Sequence, residues 1–282
     1  MISRGRKITN KVFQYLIIAI VGVMLLYPII WMFFATFKTN KEIFGSVALL
    51  PQIFSLDNYI SGWTSSGGMS YTDFFRNTFI LTIPNTLLTV CSSSIVAYGF
   101  ARFRFKFKST LFGLLIATLM LPSSVIIIPR YILFNSFGWV NTYLPFYVPS
   151  ALACHPFFVF MLVQFLRGIP KELDESASMD GCGSFRTFVQ ILVPLMKPAL
   201  FSAGLFQFLW TYNDYFGPLI FVNSVKKYPI SLALRLSLDS ESVVIWGKIM
   251  ALAFIAVLPV MILFFLAQKY FVEGIATTGL KG

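Results

Sequence analysis

The order of hydrophobic and polar residues divides the chain into long apolar runs separated by short polar stretches. A helix needs about 20 apolar residues to cross the hydrocarbon core of a bilayer. Runs of this kind cover about residues 12–37, 78–100, 110–128, 143–165, 199–221 and 245–268. The pattern predicts an all-α integral membrane protein with six transmembrane helices. The first run is too long for the core of a signal peptide, so we predict that it is a retained span.

The longest polar stretch in the second half of the chain, residues 167–198, separates the fourth run from the fifth. Its first part predicts a short helix, because Pro170 suits a first helical position, where its missing N–H is not needed. Acidic residues in the first turns complement the helix dipole: Glu172, Asp174 and Glu175. Gly181 and Gly183 then end this helix, since glycine adopts the left-handed conformation of a helix C-terminus.

The second part of the 167–198 segment predicts another helix, for which Ser184 can act as the N-cap. Apolar residues recur with the period of one helix face: Phe185, Phe188, Val189 and Leu192. Pro194 and Pro198 bend the chain toward the next span. From this pattern alone, an amphipathic connector at the membrane surface explains the segment as well as a docking element does.

The charges orient the chain in the membrane. The chain is 57% hydrophobic and has a net charge of +11, which by itself could indicate a nucleic-acid partner. However, four basic residues alternate with phenylalanines in the very short loop at 102–108, which predicts contact with anionic headgroups. By the positive-inside rule, the placement of most of the 22 Lys and Arg residues puts both termini and the 167–198 segment in the cytoplasm. Membrane lipid is therefore the expected partner of this charge, not nucleic acid.

Candidate chemistry inside the spans is limited to a few polar residues. Asp214 lies within the fifth run, beside Asn213 and near Trp210. An acid near the bilayer centre costs about 2.5–3.5 kcal/mol on insertion scales, so it should face a cavity or another helix. These three residues are candidates for a solute path, although Asp214 could equally be a hydrogen-bonding node between helices. His155, the only histidine, is expected to form a hydrogen bond in the core.

The motifs of nucleotide and metal chemistry are missing from the sequence. Gly181 and Gly183 are not followed by the Gly-Lys-Ser/Thr of a phosphate-binding loop. The three cysteines, Cys91, Cys154 and Cys182, are too far apart to indicate a disulfide framework or a metal site. We therefore expect no catalytic residue, no metal and no cofactor in this chain, which is not expected to be an enzyme. If it drives transport, the energy must enter through a partner protein.

The 167–198 segment resembles the EAA loop of ABC importer permeases. The resemblance is carried by Glu175, Asp180, Gly181, Phe188, Ile191, Pro194 and Pro198. The differences are small or apolar replacements: Ser176, Cys182 and Val193. Scattered matches elsewhere are similar to the carbohydrate-uptake branch, the smaller permeases of the maltose and oligosaccharide transporters: Asn58-Tyr59, Asn77, Ala97-Tyr98, Trp210, Asn213-Asp214 and the ending 270–274.

The resemblance implies a transmembrane permease subunit that imports a sugar or oligosaccharide across a bacterial or archaeal plasma membrane. Its partners would be a second permease subunit, two ATP-binding subunits that hold ATP and Mg²⁺, and an extracytoplasmic solute-binding protein. The regions would be 1–72 (basic N-terminus, first span and extracytoplasmic segment), 73–271 (permease core) and 272–282 (cytoplasmic tail). An ABC permease for a non-sugar solute and an ion-coupled carrier with Asp214 as its ion site are the alternatives.

The resemblance also implies roles for individual residues. The 167–198 segment would supply cytoplasmic coupling helices between spans four and five. Coupling to the ATPase would rest on Glu175, Ala177, Asp180, Gly181, Phe188 and Pro194. An outer loop would contact the binding protein through Lys226, Lys227, Tyr228 and Arg235.

Overall fold

The computed structural model describes residues 4–64, 68–239 and 244–279. The end of the predicted tail, residues 280–282, lies outside this range. The described residues form helices and no named strand. In chain order the α-helices are α1 (Arg4–Ala35), α2 (Asn40–Gly45), α3 (Asp57–Gly62), α4 (Tyr71–Arg102), α5 (Lys108–Leu119), α6 (Ser123–Ser136), α7 (Leu144–Ala151), α8 (Pro156–Arg167), α9 (Glu172–Met179), α10 (Ser184–Thr187), α11 (Val193–Leu195), α12 (Lys197–Tyr212), α13 (Phe216–Phe221), α14 (Ile230–Asp239) and α15 (Trp246–Gly279). A π-helical turn (Phe188–Leu192) joins α10 to α11, and a 3₁₀ turn (Val225–Lys227) precedes α14.

Length and composition identify the helices that can cross a membrane. Four stretches of the described chain suffice by themselves: Lys11–Ala35, Tyr71–Arg102, Leu144–Arg167 and Trp246–Gln268. Two further candidates are bent helix pairs, each a broken span or a re-entrant loop: Lys108–Leu119 with Ser124–Ser136, bent by 106°, and Ser184–Leu195 with Lys197–Tyr212, bent by 78°. Counting each bent pair as one span gives six. The predicted all-α membrane class is confirmed.

Three of the predicted spans are not single helices, and one of them, the run at 143–165, consists of α7 and α8. The run at 110–128 is interrupted between α5 and α6, where Pro122 has extended backbone (φ −61°, ψ 133°) and has no N–H to continue α5. The run at 199–221 is interrupted between α12 and α13. There Pro218 cannot donate to the carbonyl of Asp214, and that carbonyl instead accepts a hydrogen bond from the Ser231 hydroxyl at 2.9 Å. Both interruptions place polar backbone where a regular helix was predicted.

The contacts divide the chain into two compact units, and unit one comprises residues 1–70 and 234–259. Asn58 organises this unit, because its side-chain amide donates to the carbonyls of Thr36 at 2.8 Å and Lys38 at 3.0 Å. Gly247 packs directly against this amide. A Cβ at position 247 would lie 2.4 Å from Asn58 Nδ2, so only glycine allows this close approach.

Unit two comprises residues 71–233 and 260–282 and has α4 at its centre. This 32-residue helix packs against α7, α8 and α12. Fully buried side chains at these contacts include Ala97, Phe158, Leu162, Leu166, Leu192 and Ala203. In lipid, helices associate through close packing and hydrogen bonds between helices rather than through the hydrophobic effect. Because α4 is long, it contacts one candidate site near its C-terminus and another near its middle.

Candidate functional site

The helix α9 ends in a Schellman motif at Gly181. The Gly181 N–H donates to the Ser178 carbonyl at 3.0 Å, and the Cys182 N–H donates to the Ala177 carbonyl at 2.9 Å. These bonds require the left-handed backbone that Gly181 adopts, with φ +76°. The prediction that Gly181 ends the helix is confirmed. Gly183 has φ −71° and needs no glycine-specific conformation.

The first helix of the 167–198 segment begins later than the sequence predicts, and the second begins one residue earlier. Pro170 lies outside α9, which starts at Glu172. Ser184 is the first residue of α10 and does not cap it, because the Thr187 N–H bonds to the Gly183 carbonyl at 3.0 Å. Gly183 is therefore the residue at which the second helix begins to turn.

The predicted apolar face of the second helix is split between core and surface. Phe188 and Leu192 are buried, whereas Phe185 is 78% exposed and Val189 is 44% exposed. The π-helical turn at Phe188–Leu192 has more residues per turn than an α-helix, which changes the direction of the side chains along it. As a result, an aromatic side chain projects from the surface of the segment.

An ion pair attaches α9 to the C-terminus of α4. Arg102 Nε lies 2.8 Å from Asp174 Oδ2, and Arg102 Nη2 donates to the Ile169 carbonyl at 3.0 Å. Neither Nε nor the Asp174 carboxylate makes a well-directed hydrogen bond within the described chain, so Coulomb attraction holds this pair. The Arg102 side chain is only 6% exposed. The interpretation that the basic residues at 102–108 all meet headgroups is wrong for Arg102, because burial beside a carboxylate occupies its charge.

A second attachment joins α4 to α10. The Tyr98 hydroxyl donates to the Ser184 carbonyl at 3.1 Å. The Tyr98 ring stacks on Phe188, with ring centroids 4.8 Å apart and an interplanar angle of 25°. Together with the Arg102–Asp174 pair, this contact attaches both helices of the segment to the same long helix.

The outer surface of the 167–198 segment combines acidic and apolar side chains. Glu175 and Asp180 are exposed, and Met179 is 88% exposed beside them in the chain. Glu175 and Lys171 line a pocket of about 310 Å³ in this surface. Exposed apolar groups next to charges are typical of a protein docking surface.

The residues predicted to couple to an ATPase divide into buried and exposed ones. Ala177 and Phe188 are buried and support the surface from below. The exposed ones are Glu175, Asp180, Gly181 and Pro194. Their coupling role stays a prediction.

A cavity of about 680 Å³ lies in unit two, between residues of α4, α6, α7, α12 and α13. Polar and charged residues converge on it: Asn85, Arg130, His155, Gln207, Thr211 and Asp214. Aromatic residues complete the wall: Phe146, Trp210, Phe216 and Phe221. A cavity of this size, with an apolar wall and a few convergent polar groups, suits a small polar ligand.

A hydrogen-bond network connects three of the helices around the cavity. The Asn85 amide donates to Thr211 Oγ1 at 2.9 Å, and Gln207 Nε2 donates to the same oxygen at 3.0 Å. The Ser150 hydroxyl donates to Asn85 Oδ1 and lies 3.0 Å from His155 Nε2. The predicted hydrogen-bonding role of His155 is confirmed. The network fixes neutral amide and hydroxyl groups at the cavity wall.

The carboxylate of Asp214 is fixed by the backbone that follows it. Its Oδ1 accepts a hydrogen bond from the Gly217 N–H at 3.0 Å. A Cβ on Gly217 would lie 2.3 Å from Asp214 Oδ2 and 3.0 Å from the Phe146 ring, so the site requires glycine. Of the two interpretations left open by the sequence, this geometry favours lining a cavity over bridging to a side chain of another helix.

The structure brings together only part of the predicted solute path. Trp210 and Asp214 line the cavity, whereas Asn213 is exposed and donates to the Leu209 carbonyl at 2.8 Å. Sequence reasoning missed Arg130 and Gln207 as lining residues. Gln207 could have been found from the sequence, because it is a polar residue inside the apolar run at 199–221.

The predicted binding-protein loop is held firmly on unit two. The Asn77 amide donates to the carbonyls of Lys226 at 2.8 Å and Tyr228 at 3.1 Å. The Lys227 ammonium donates to a backbone carbonyl at 2.6 Å, while the Lys226 side chain is exposed. Arg235 is an exposed residue of α14 and belongs to unit one. The role of these four residues stays a prediction.

Hydroxyl groups form a row along α4, which we name the hydroxyl row. It consists of Thr82, Thr86, Thr89 and Ser93. All four side-chain oxygens are buried, and none has a hydrogen-bond partner within the described chain. Thr86 lies against Gly204 of α12, where an added Cβ would be 3.9 Å from its methyl group. The hydroxyl row adds van der Waals packing to the α4–α12 contact, whose hydrogen bond from Asn85 to Thr211 comes from a neighbouring residue.

Comparison with known proteins gives a family match and close relatives. The family described as "Binding-protein-dependent transport system inner membrane component" matches residues 90–277. The trehalose/maltose transport system permease protein MalG of Thermococcus litoralis is 31% identical over 265 residues, which cover 93% of this chain and 94% of that protein. The arabinooligosaccharides transport system permease protein AraQ of Bacillus subtilis is 31% identical over 266 residues, covering 93% and 92%.

A solved structure has the same fold. It is the crystal structure of a bacterial ABC transporter involved in the import of the acidic polysaccharide alginate. One of its chains matches with a TM-score of 0.82 and 19% identity, covering 96% of this chain and 99% of that one. The likeness in fold therefore extends over nearly the whole chain.

Proposed function

The chain belongs to the family of binding-protein-dependent transport system inner membrane components, and from this premise we propose that it is the permease subunit of an ATP-driven sugar or oligosaccharide importer. The relatives MalG and AraQ, named for sugar transport, support the substrate class. The amide and hydroxyl groups around the cavity support it too, because such groups can both donate to and accept from sugar hydroxyls. Trp210 adds an aromatic wall.

Coupling of the cavity to an external energy source is the next element of the proposal. The observation that carries it is the position of α4. Near its C-terminus this helix holds the 167–198 segment through Arg102, and near its middle it holds the cavity network through Asn85. At about 1.5 Å per residue, these residues are about 25 Å apart along the helix. A partner that moves the segment would move α4 and change the cavity.

The partners follow from the family. We propose that separate ATP-binding subunits, two per transporter, dock on the surface formed by Glu175, Met179 and Phe185, and that this chain hydrolyses no ATP itself. A second permease subunit would complete the membrane pathway. An extracytoplasmic solute-binding protein would deliver the sugar at the loop that includes Lys226. Both termini would then lie in the cytoplasm of the cell, in agreement with the distribution of basic residues.

Reconstitution tests the proposed function directly. The chain would be purified with its partner subunits and placed in liposomes, with Mg-ATP inside and binding protein and labelled oligosaccharide outside. We expect uptake that requires ATP and that persists when an uncoupler removes ion gradients at constant ATP. Uptake abolished by the uncoupler would instead support the ion-coupled carrier with Asp214 as its site. ATP-dependent uptake of non-sugar solutes alone would support the other ABC permease class.

Reversing the charge of Glu175 tests the docking surface. Glu175→Lys replaces an exposed carboxylate by an ammonium group, so a basic partner residue would be repelled instead of attracted. We expect at least a tenfold loss of ATP-dependent uptake, while the protein still inserts into the membrane. Glu172→Lys is the matched control, because Glu172 is also exposed on α9 and lies outside the predicted coupling set. Equal losses in both variants would contradict a specific role for Glu175.

A further inference from the structure

The cavity contains one cation whose hydrogen-bonding groups are available. The Arg130 guanidinium carbon lies 5.5 Å from the ring centroid of Phe134 and 5.9 Å from that of Phe221. These cation–π contacts position the group at the cavity wall. Within the described chain, no carboxylate lies within ion-pair distance of Arg130, and no protein acceptor takes its N–H groups. Its donors are therefore free for a ligand or water.

The acid in the same cavity, Asp214, attracts Arg130 electrostatically but lies beyond ion-pair distance of it. Asp214 lines the cavity, but its Oδ1 accepts the Gly217 N–H, and its Oδ2 fills the space where a side chain of Gly217 would stand. The Asp214 carboxylate thus bonds to the backbone three residues further along the chain and not to the Arg130 guanidinium. A charged residue that lines a cavity between membrane-spanning helices, without a bonded counter-ion, indicates a functional site.

The chemistry of a guanidinium group selects the ligand. Its planar donors match the two oxygens of a carboxylate or phosphate, and such charge-assisted pairs are about twice as strong as neutral hydrogen bonds. Asn85 and Gln207 lie on the same wall and offer amide groups to hydroxyls. The volume of about 680 Å³ is within the range of small-ligand sites.

We propose that this cavity is a solute subsite in which Arg130 binds the anionic group of an acidic sugar, either a uronate or a sugar phosphate. The proposal rests on the sugar-permease function and narrows it to a substrate class. Trp210 and the amide groups contact the sugar ring and hydroxyls, and Arg130 distinguishes a charged sugar from a neutral one.

Direct binding to the complete transporter tests the proposal without the selectivity of the binding protein. The complex in lipid nanodiscs would be titrated with two matched pairs of labelled sugars: digalacturonate with galactobiose, and trehalose 6-phosphate with trehalose. We expect at least one anionic sugar to bind about tenfold or more tightly than its neutral counterpart. The pair that shows this preference identifies the source of the charge, carboxylate or phosphate.

Substitutions at Arg130 then assign the preference to this residue. Arg130→Gln should remove it, with affinity for the neutral sugar changed less than about twofold. Arg130→Lys should retain part of it, because lysine keeps the charge but loses the planar donors. Lys41→Gln, which removes an exposed charge in α2, should change neither affinity. Co-purification with the partner subunits shows that each variant is folded.

The outcomes separate this proposal from the proposed function. A wild-type complex that binds neutral and anionic sugars equally would overturn the role of Arg130, as would a variant that loses both equally. In either case, ATP-dependent uptake of neutral sugars would leave the sugar-permease function standing. A complex that binds none of the four sugars and transports only non-sugar solutes with ATP would overturn both.

Discussion

The 167–198 segment and the membrane cavity are built in opposite ways. The segment is continuous in the chain, and its main contacts run to one helix end, through Tyr98 and Arg102. The cavity is assembled from residues between Asn85 and Phe221 on several helices. A site of the first kind has a readable local motif, whereas a site of the second kind depends on the packing of the whole unit. The two sites should therefore respond differently to substitution.

The largest expected effect breaks the segment and leaves the cavity intact. Gly181→Pro cannot adopt φ +76°, because proline is restricted to φ near −65°, so the turn after α9 cannot form. We expect uptake to fall to background while the protein inserts and still binds sugar. Gly183→Ala is the control, since Gly183 has φ −71° and an added Cβ meets nothing within 4 Å. Full uptake by Gly181→Pro would show that the turn is not needed for coupling.

The next effect removes the link between the two sites. Asp174→Asn leaves the Arg102 charge nearly buried without a counter-ion, which should destabilise the protein by about 3 kcal/mol. We expect lower thermal stability and ATP hydrolysis that no longer depends on sugar. Glu172→Gln on the same helix should do neither. Exchanging the two charges, with Asp174→Arg and Arg102→Asp together, should restore part of the stability. If the exchange restores nothing, the pair does not act through its mutual attraction.

A substitution at the cavity should weaken binding without affecting the segment. Gly217→Ala places a Cβ 2.3 Å from Asp214 Oδ2, so the carboxylate or its helix must move. Overpacking of this kind costs about 1–3 kcal/mol, and we expect sugar binding to weaken about tenfold. Gly204→Ala is the matched control, because its Cβ would be at an ordinary 3.7 Å from Val90. Similar affinities of the two variants would contradict the tight fit at Asp214.

The smallest expected effect tests one bond of the attachment. Tyr98→Phe removes the hydroxyl that donates to the Ser184 carbonyl but keeps the ring that stacks on Phe188. The loss should be about 1 kcal/mol, with uptake reduced less than about twofold. Tyr98→Ala removes both interactions and should cost several times more. Thermal unfolding in detergent measures both losses, and equal losses would assign the whole effect to the hydroxyl and contradict a contribution from the ring.

The sequence was sufficient for the fold class, the family and the positions of the two helices in the 167–198 segment. The glycine at position 181 and the acids of α9 carry local signals, and the family prediction is confirmed by the match over residues 90–277. The side-chain directions in the second helix were not predictable, because the π-helical turn changes the period on which an apolar stripe is recognised.

The cavity was predictable only in part, for a physical reason. Trp210 and Asp214 stand out in an apolar run, but the residues they meet depend on how several helices pack. Arg130 follows a proline at the end of a predicted span, where a basic residue usually meets the headgroups. The break between α5 and α6 changes its surroundings, and a bend of 106° has no simple signature in a hydropathy pattern.

The hydroxyl row on α4 has a mechanical consequence. An interface fixed by hydrogen bonds has a preferred register, and sliding it requires those bonds to break. The oxygens of Thr86 and its neighbours in the row make no such bonds across the contact with α12. Apart from the Asn85–Thr211 hydrogen bond at 2.9 Å, a small slide of one helix on the other therefore exchanges weak dispersion contacts here, each about 0.1–0.2 kcal/mol. The Asn85–Thr211 bond therefore sets the register of α4 on α12, and the packing along the hydroxyl row can adjust around that one fixed point.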